Sequence, residues 1–535
     1  MSNNEGETTE GSPTFTPTDQ TSDEASKNLE RPMAWYRFEG VAMAQGYNLS
    51  GMGRGALVMS NIFLSTSFVY LAQEQAGCLD EDKEVIEDCN GKAYGFQPAS
   101  FISNIAVISS VLSALFMPLI GAMVDYTEHR KTLGIFVSTF MILIQIVQIG
   151  TVSKTWLPMA ILQAFSGFLY QALVLSVYAY LPDMSYQLGE EAMTKFTSIF
   201  QMTQFCSQAG FLLVVTILSL AFGLGDVVAA QMSQAIDVVW SGLCFYYSWK
   251  LFEPVPPRHV LPEGHSLLTQ GFRQVYHTAV DVNRRYKRGT RWFFLALIFA
   301  EASANAFTVV AVVYLDEQLG LSFTEIGIFF FVSLVSSIPG SFLGRYVTRR
   351  LDPKRSWAMV MSLLFAWSAA GAIILDFLPK DLFYLAYVWG CGIGMLLGWF
   401  YPTENLFFCM CLPKGQEAEL AGFFVYCTQI LGWLPPLIFS FMVEANVSQT
   451  YGVIAVCLFF VVAVVLVSLA APWDQILEES GRLKEVDGGD HAVVKDLVLI
   501  DSARDDKGTQ DGVEMAVETV KRDSIVSTEE EIQQA

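Results

Sequence analysis

Gly121-Ala122-Met123-Val124-Asp125-Tyr126-Thr127-Glu128-His129-Arg130-Lys131 ends one apolar run and opens the next. A relative of it returns 219 residues later as Gly340-x3-Gly344-Arg345-x3-Arg349-Arg350. In both copies a glycine sits on the apolar side, where it lets two helices approach closely, and a pair of bases sits on the polar side. Asp125 in the first copy is placed to cap the N-terminus of the following helix; Gly344 stands in its place in the second. Bases at the end of an apolar run mark the cytoplasmic edge of a membrane span. Two such edges in matching places imply an internal repeat of parallel halves.

Outward from these edges, apolar runs of the roughly 20 residues that cross a bilayer follow one another with short polar breaks. They are Gly55–Leu71, Ser100–Val124, Leu133–Val152, Trp156–Leu181, Phe196–Phe222, Val227–Phe252, Trp292–Leu315, Thr324–Val347, Trp357–Phe377, Leu382–Phe408, Ala418–Val443 and Tyr451–Ala471. One long interior connection, residues 253–291, separates six from six. The chain therefore reads as an all-α polytopic membrane protein with twelve transmembrane helices in two six-helix halves. Its parts are a disordered acidic tail (1–33), an N-terminal half (34–252), the connection (253–291), a C-terminal half (292–473) and a second disordered acidic tail (474–535).

Composition agrees, with 53% hydrophobic and 16% charged residues, against about 25% charged in soluble domains. The net charge of −21 is concentrated in the appendages. Residues 1–31 hold seven acids and two bases, residues 474–535 seventeen and seven, and residues 74–98 seven and two. No basic face is left for nucleic acid. Lys and Arg gather in alternate loops: Arg130 and Lys131, Lys195, the basic connection, Arg349 to Arg355, and Lys414. Retention of bases on the inner side predicts both termini in the cytoplasm. Cys78 and Cys89 then share the first non-cytoplasmic loop, where oxidation to a disulfide is expected. The sequon Asn446-Val447-Ser448 lies on the same side, and Asn48-Leu49-Ser50 on the cytoplasmic side.

Given these motifs, the chain resembles the major facilitator superfamily, whose loop after the second helix has the pattern of Gly121, Asp125, Arg130 and Lys131. The resemblance covers residues 34–473 and implies a major facilitator-type fold. It also implies that this loop, and more weakly Gly340, Gly344, Arg345 and Arg349, latch a gate rather than touch solute. A narrower stretch, Pro413-Lys414-Gly415-Gln416-Glu417-Ala418-Glu419-Leu420-Ala421-Gly422, with Gly390, Gly392, Gly394 and Tyr180-Leu181-Pro182-Asp183, is similar to the autophagy-related vacuolar amino-acid effluxer family. That resemblance implies amino-acid transport across a vacuole-like membrane.

Polar groups inside spans are costly in hydrocarbon unless they face protein or a water-filled cavity. Glu301 and Asn305 share one helical face, and Asp237 lies in the sixth span. A carboxylate withdrawn from water suits proton uptake and release near neutral pH; the alternative is a carboxylate paired across helices to fix packing. Gln201, Gln204 and Gln208 line one face of the fifth span, either toward a solute or in interhelical bonds, and Gln163, Ser166 and Tyr170 repeat that stripe in the fourth. Glu404 and Asn405 read as gate residues, and Trp433 as packing. The connection offers an amphipathic stretch from Gln274 to Arg288 and an acidic dileucine pattern, Glu263-x3-Leu267-Leu268.

Motifs of hydrolytic or group-transfer chemistry are missing, so the chain is not expected to be an enzyme, and no cofactor or metal is expected. The reading is a secondary active transporter of a small solute, an amino acid or similar metabolite, with protons as candidate coupling ion. Its expected partners are the lipid bilayer, the small-molecule solute and protons, with no nucleic acid, and it is expected to act as a monomer. A vacuolar or other endomembrane fits better than the plasma membrane. A sugar or glycoside symporter of the same superfamily, and a non-transporting scaffold or receptor on the same fold, are the alternatives.

Overall fold

The computed structural model describes residues 42–79, 91–181, 184, 190–257, 261, 266–379, 382, 384–412 and 417–480. The tail 1–33, most of the second tail, Cys89, Glu263, and Pro413 to Gln416 lie outside them.

Each of the twelve apolar runs coincides with a helix or a broken pair of helices. The N-terminal half comprises α1 (Ala42–Ala76), α2 (Pro98–Tyr126), α3 (Arg130–Gln148), α4 (Trp156–Tyr178), α5 (Glu190–Phe222) and α6 (Asp226–Leu251). The connection carries α7 (Leu267–Arg285). The C-terminal half runs through α8 (Thr290–Val313), which ends in a π-helical turn (Tyr314–Gln318), then α9 (Phe323–Leu351), α10 (Pro353–Asp376) and α11 (Leu385–Cys411). A span broken into α12 (Glu417–Gln429) and α13 (Leu434–Glu444) follows, then α14 (Gln449–Ser468) and a short α15 (Trp473–Glu479). Helix is the expected solution, since backbone groups in hydrocarbon must be satisfied within their own segment.

Among the described residues, ten helices are long and apolar enough to cross a membrane. The two others, α6 and α11, are diluted by the residues that pack them: serines, glutamines and Asp237 in α6, four glycines and Glu404 in α11. Large apolar side chains such as Phe136, Leu220, Val239, Phe342, Ile374 and Val465 point outward, as a lipid-facing surface requires.

Two boundaries differ from expectation. The first described helix spans Ala42–Ala76 and so is already under way thirteen residues before Gly55, with Arg54 and Asn48 buried within it. Hydropathy placed the edge at the first charge, whereas the helix continues through it because Arg54 finds aromatic neighbours. At the other end, α15 occupies the start of the stretch expected as a tail.

The closest helix approach joins α9 and α11. A Cβ on Gly394 would stand 1.9 Å from the Ser333 carbonyl oxygen, one on Gly398 2.0 Å from that of Ser337, and one on Gly340 2.0 Å from that of Met395. Ser333 and Ser341 donate to the carbonyls of Gly390 and Gly398 at 2.9 and 3.0 Å. Glycine is required because these backbones touch.

The connection helix α7 is amphipathic as expected but not free. Gly271 lies against the Pro118 carbonyl of α2, and Gln270 donates to the Tyr126 hydroxyl at 3.0 Å. Leu268, Phe272 and Tyr276 remain exposed on its other side. Cys78 is disulfide-bonded, and the seven other described cysteines stand outside disulfides.

Candidate functional site

The loop after α2 fastens one end of the N-terminal half. Arg130 is buried, with its Nη1 donating to the Ala179 carbonyl at the end of α4 (3.2 Å) and its guanidinium over the Tyr180 ring. Lys131 donates to the Phe252 carbonyl just past α6 at 2.6 Å, using the exposed acceptors of a helix C-terminus. Asp125 accepts from Gln274 of α7 at 3.4 Å. Around Gly121 the nearest atom to an added Cβ is 3.9 Å away, so close approach is not what this glycine provides.

In the second half the basic pair and the tethering lysine are separate residues. Arg345, Arg349 and Arg350 are exposed. The place of Lys131 is taken by Lys354, whose ammonium donates to the Ala470 and Ala471 carbonyls past α14 at 2.7 and 3.0 Å. The capping role sought at position 344 belongs to Asp352, whose carboxylate accepts from the Arg355 N–H at 2.8 Å. The symmetry of the halves is thus carried by Lys131 and Lys354, each tying the third helix of its half to the end of the sixth.

At the opposite end, the halves are bonded to each other. Glu444, last in α13, accepts from the Gln97 N–H (2.6 Å), the Ser100 hydroxyl (2.8 Å) and the Lys92 ammonium (3.1 Å). Gln97 also donates to Asn446 Oδ1 at 2.7 Å, and Ser440 to Asn104 Oδ1 at 2.8 Å. The Asn446 side chain of the sequon is therefore already engaged.

Among the described residues, Asp237 and the Glu301–Glu404 pair are buried in separate places. Asp237 is fully buried inside the N-terminal half, held by Gln145 of α3 and Ser241 of its own helix; the Ser241 hydroxyl also lies 2.8 Å from the Gly53 carbonyl of α1. With donors from α3 and from its own helix, it has the geometry of a packing carboxylate. Glu301 is also buried, eleven residues into α8, or about 16 Å along it, and accepts from Asn305 at 3.1 Å. Its carboxyl group lies beside that of Glu404 on α11. Glu404 is 2% exposed and its Oε2 has no partner. Glu404 therefore belongs with Glu301 in the interior rather than with a gate. Two carboxyl groups can share a hydrogen bond only if one of them carries a proton.

Tyr401 lies within electrostatic reach of both carboxyls and of Tyr170 on α4, and Tyr170 within reach of Arg54 on α1. This polar seam crosses from one half to the other. Arg54, which the sequence reading passed over, is 2% exposed, with its guanidinium over the rings of Tyr178 (5.7 Å) and Phe200 (5.4 Å). Its Nε and Nη2 have no hydrogen-bond partner. Such cation–π contacts return roughly 0.5–2 kcal/mol each, while burying a charge costs several, so Arg54 is under-compensated where it stands. The signal in sequence was a single base flanked by Gly51, Gly53 and Gly55 with no acid nearby.

Of the glutamine stripe, Gln208 is buried beside Gly55, and Gln204 reaches the same glycine through its backbone carbonyl. Gln163 accepts from Gln148 at 2.9 Å, which makes it an interhelical bond within the half. Trp433 donates to Ile430 at the break between α12 and α13, and Asn405 is exposed.

The family described as "Vacuole effluxer Atg22 like" matches residues 43–474. The chain belongs to this family. No curated protein sequence matches it. Among solved structures, a point mutant of the nucleoside transporter NupG is similar with a TM-score of 0.55 at 11% identity, over 80% of this chain and 99% of that one. A D-xylose-proton symporter gives 0.53 at 12% identity, over 81% and 98%. An inward-facing bacterial homologue of the iron transporter ferroportin gives 0.52 at 13% identity, over 82% and 99%. At these identities the likeness speaks for the fold, which is that of the major facilitator superfamily. The vacuole-effluxer chain is thus a multi-pass membrane protein of that fold.

Proposed function

We propose that the chain is a secondary active transporter that moves a small solute, an amino acid or similar metabolite, by alternating access between its halves, with protons as coupling ion. The observation that carries this reading is the buried Glu301–Glu404 carboxyl pair, which brings two acids from different helices together with Asn305 beside them and so offers a place to hold a proton between them. A proton held this way can leave only when the pair is opened, so its release is tied to helix movement. The bonds around Glu444 support alternation, because they join the halves at one end and must break for that end to open. The bases gathered in alternate loops support an orientation with both termini in the cytoplasm, and the family's description fits a vacuolar membrane or another endomembrane. Gly121, Asp125, Arg130 and Lys131 serve the gate at the cytoplasmic end.

Proteoliposomes carrying a pH gradient and a panel of amino acids and sugars test the reading. Gradient-driven accumulation of a solute is expected, with Glu301→Gln abolishing accumulation while leaving solute exchange. Absence of any gradient-dependent flux, or unchanged coupling in the variant, refutes it.

A further inference from the structure

We propose that Arg54 is the anion-binding residue of the solute site and that the solute it takes carries a carboxylate. The proposal deepens the transport reading and rests on it. It starts from the atoms without partners. Nε and Nη2 form the side edge of the guanidinium, two parallel N–H donors spaced to match the two oxygens of a carboxylate. Both are buried and unpartnered, while the guanidinium lies over the rings of Tyr178 and Phe200. The helix itself demands none of this: Gly51 and Gly55 pack against Phe200 and Gln208, and a neutral side chain at position 54 would spare the chain a buried charge.

The surroundings limit what the edge receives. Beside Arg54 lie the ring of Tyr178 on α4 and that of Phe200 on α5, so the donor edge is the polar feature of an otherwise aromatic surround. A solute held at this edge meets a single guanidinium, which matches the one charge of a carboxylate better than the two of a phosphate dianion.

The test uses purified full-length protein. Thermal stabilisation is measured with the proteinogenic amino acids, their carboxamides, and inorganic phosphate. The wild type is expected to prefer at least one acid over its amide by roughly tenfold or more. Arg54→Gln is expected to bring that ratio to about one, and Arg54→Lys, which keeps the charge without the fork, to fall between. An Arg54→Gln protein that melts earlier but keeps the acid-over-amide ratio overturns the proposal by making Arg54 structural. So does stabilisation by phosphate alone, or by neither acids nor amides. Binding with the expected ratios but without flux in proteoliposomes leaves Arg54 assigned and defeats the transport reading instead. Flux with an unchanged ratio in Arg54→Gln does the reverse.

Discussion

Replacing Glu444 with Ala removes the acceptor on which three donors from the other half converge. The Lys92 ammonium contributes little, because its side chain is 49% exposed and that of Glu444 23%, and exposed ion pairs are worth about 0–1 kcal/mol. The Gln97 N–H and the Ser100 hydroxyl reach Oε1 at 2.6 and 2.8 Å, and each bond to a charged acceptor is worth about 1.5 kcal/mol at the low end. The closed form at this end should therefore lose about 3 kcal/mol relative to the open one, a population shift on the order of a hundredfold. Cysteines introduced at Tyr94 and Val447, both exposed, allow spin labels to be placed on the two halves. Double electron–electron resonance in nanodiscs should show one short distance in the parent and a mixture with a longer one in Glu444→Ala. Glu444→Gln, which keeps an acceptor oxygen but no charge, should shift less. An unchanged distance distribution in Glu444→Ala would show that this cluster does not hold the halves together.

Two further outcomes follow from packing. Gly394→Ala should prevent stable assembly, because its methyl group would collide with the Ser333 carbonyl, whereas Gly422→Ala, with nothing within 4 Å, should melt at or slightly above the parent temperature, helix propensity favouring Ala by about 1 kcal/mol; size-exclusion profiles and melting curves check both. Asp237→Leu should lower the melting temperature by stranding the Gln145 amide, at about 1–3 kcal/mol for a buried unpaired group, the Ser241 hydroxyl keeping the Gly53 carbonyl as acceptor, while flux measurements on the surviving fraction should show proton coupling intact; lost coupling would move Asp237 from packing to mechanism.

The fold was legible because its determinants are local. Runs of about 20 apolar residues and bases in alternate loops need no knowledge of distant partners. The site was legible only in part. Glu301 and Asn305 are four residues apart on one face, so their pairing could be read directly. Glu404 lies seven residues from the end of α11, and sequence position alone assigned it to a gate; only the packing of α8 on α11 brings it to Glu301. Arg54 was hidden by the hydropathy boundary, since the rings that shelter it come from positions 178 and 200. Lys354 was missed for a related reason: its acceptors are carbonyls past α14, more than a hundred residues away.

The glycine contacts between α9 and α11 also decide where the C-terminal half can yield. Backbones in direct contact leave no slack for sliding, so these two helices behave as one stiff plate. Glu404 rides on that plate, whereas the helix of Glu301, tied to α11 at its start by Thr290 and the Cys411 carbonyl (3.0 Å), is fastened further along to α14, its Ser303 donating to the Val456 carbonyl at 2.9 Å. The Glu301–Glu404 pair therefore sits between helices with different anchors, and any flexing of the half is felt there first.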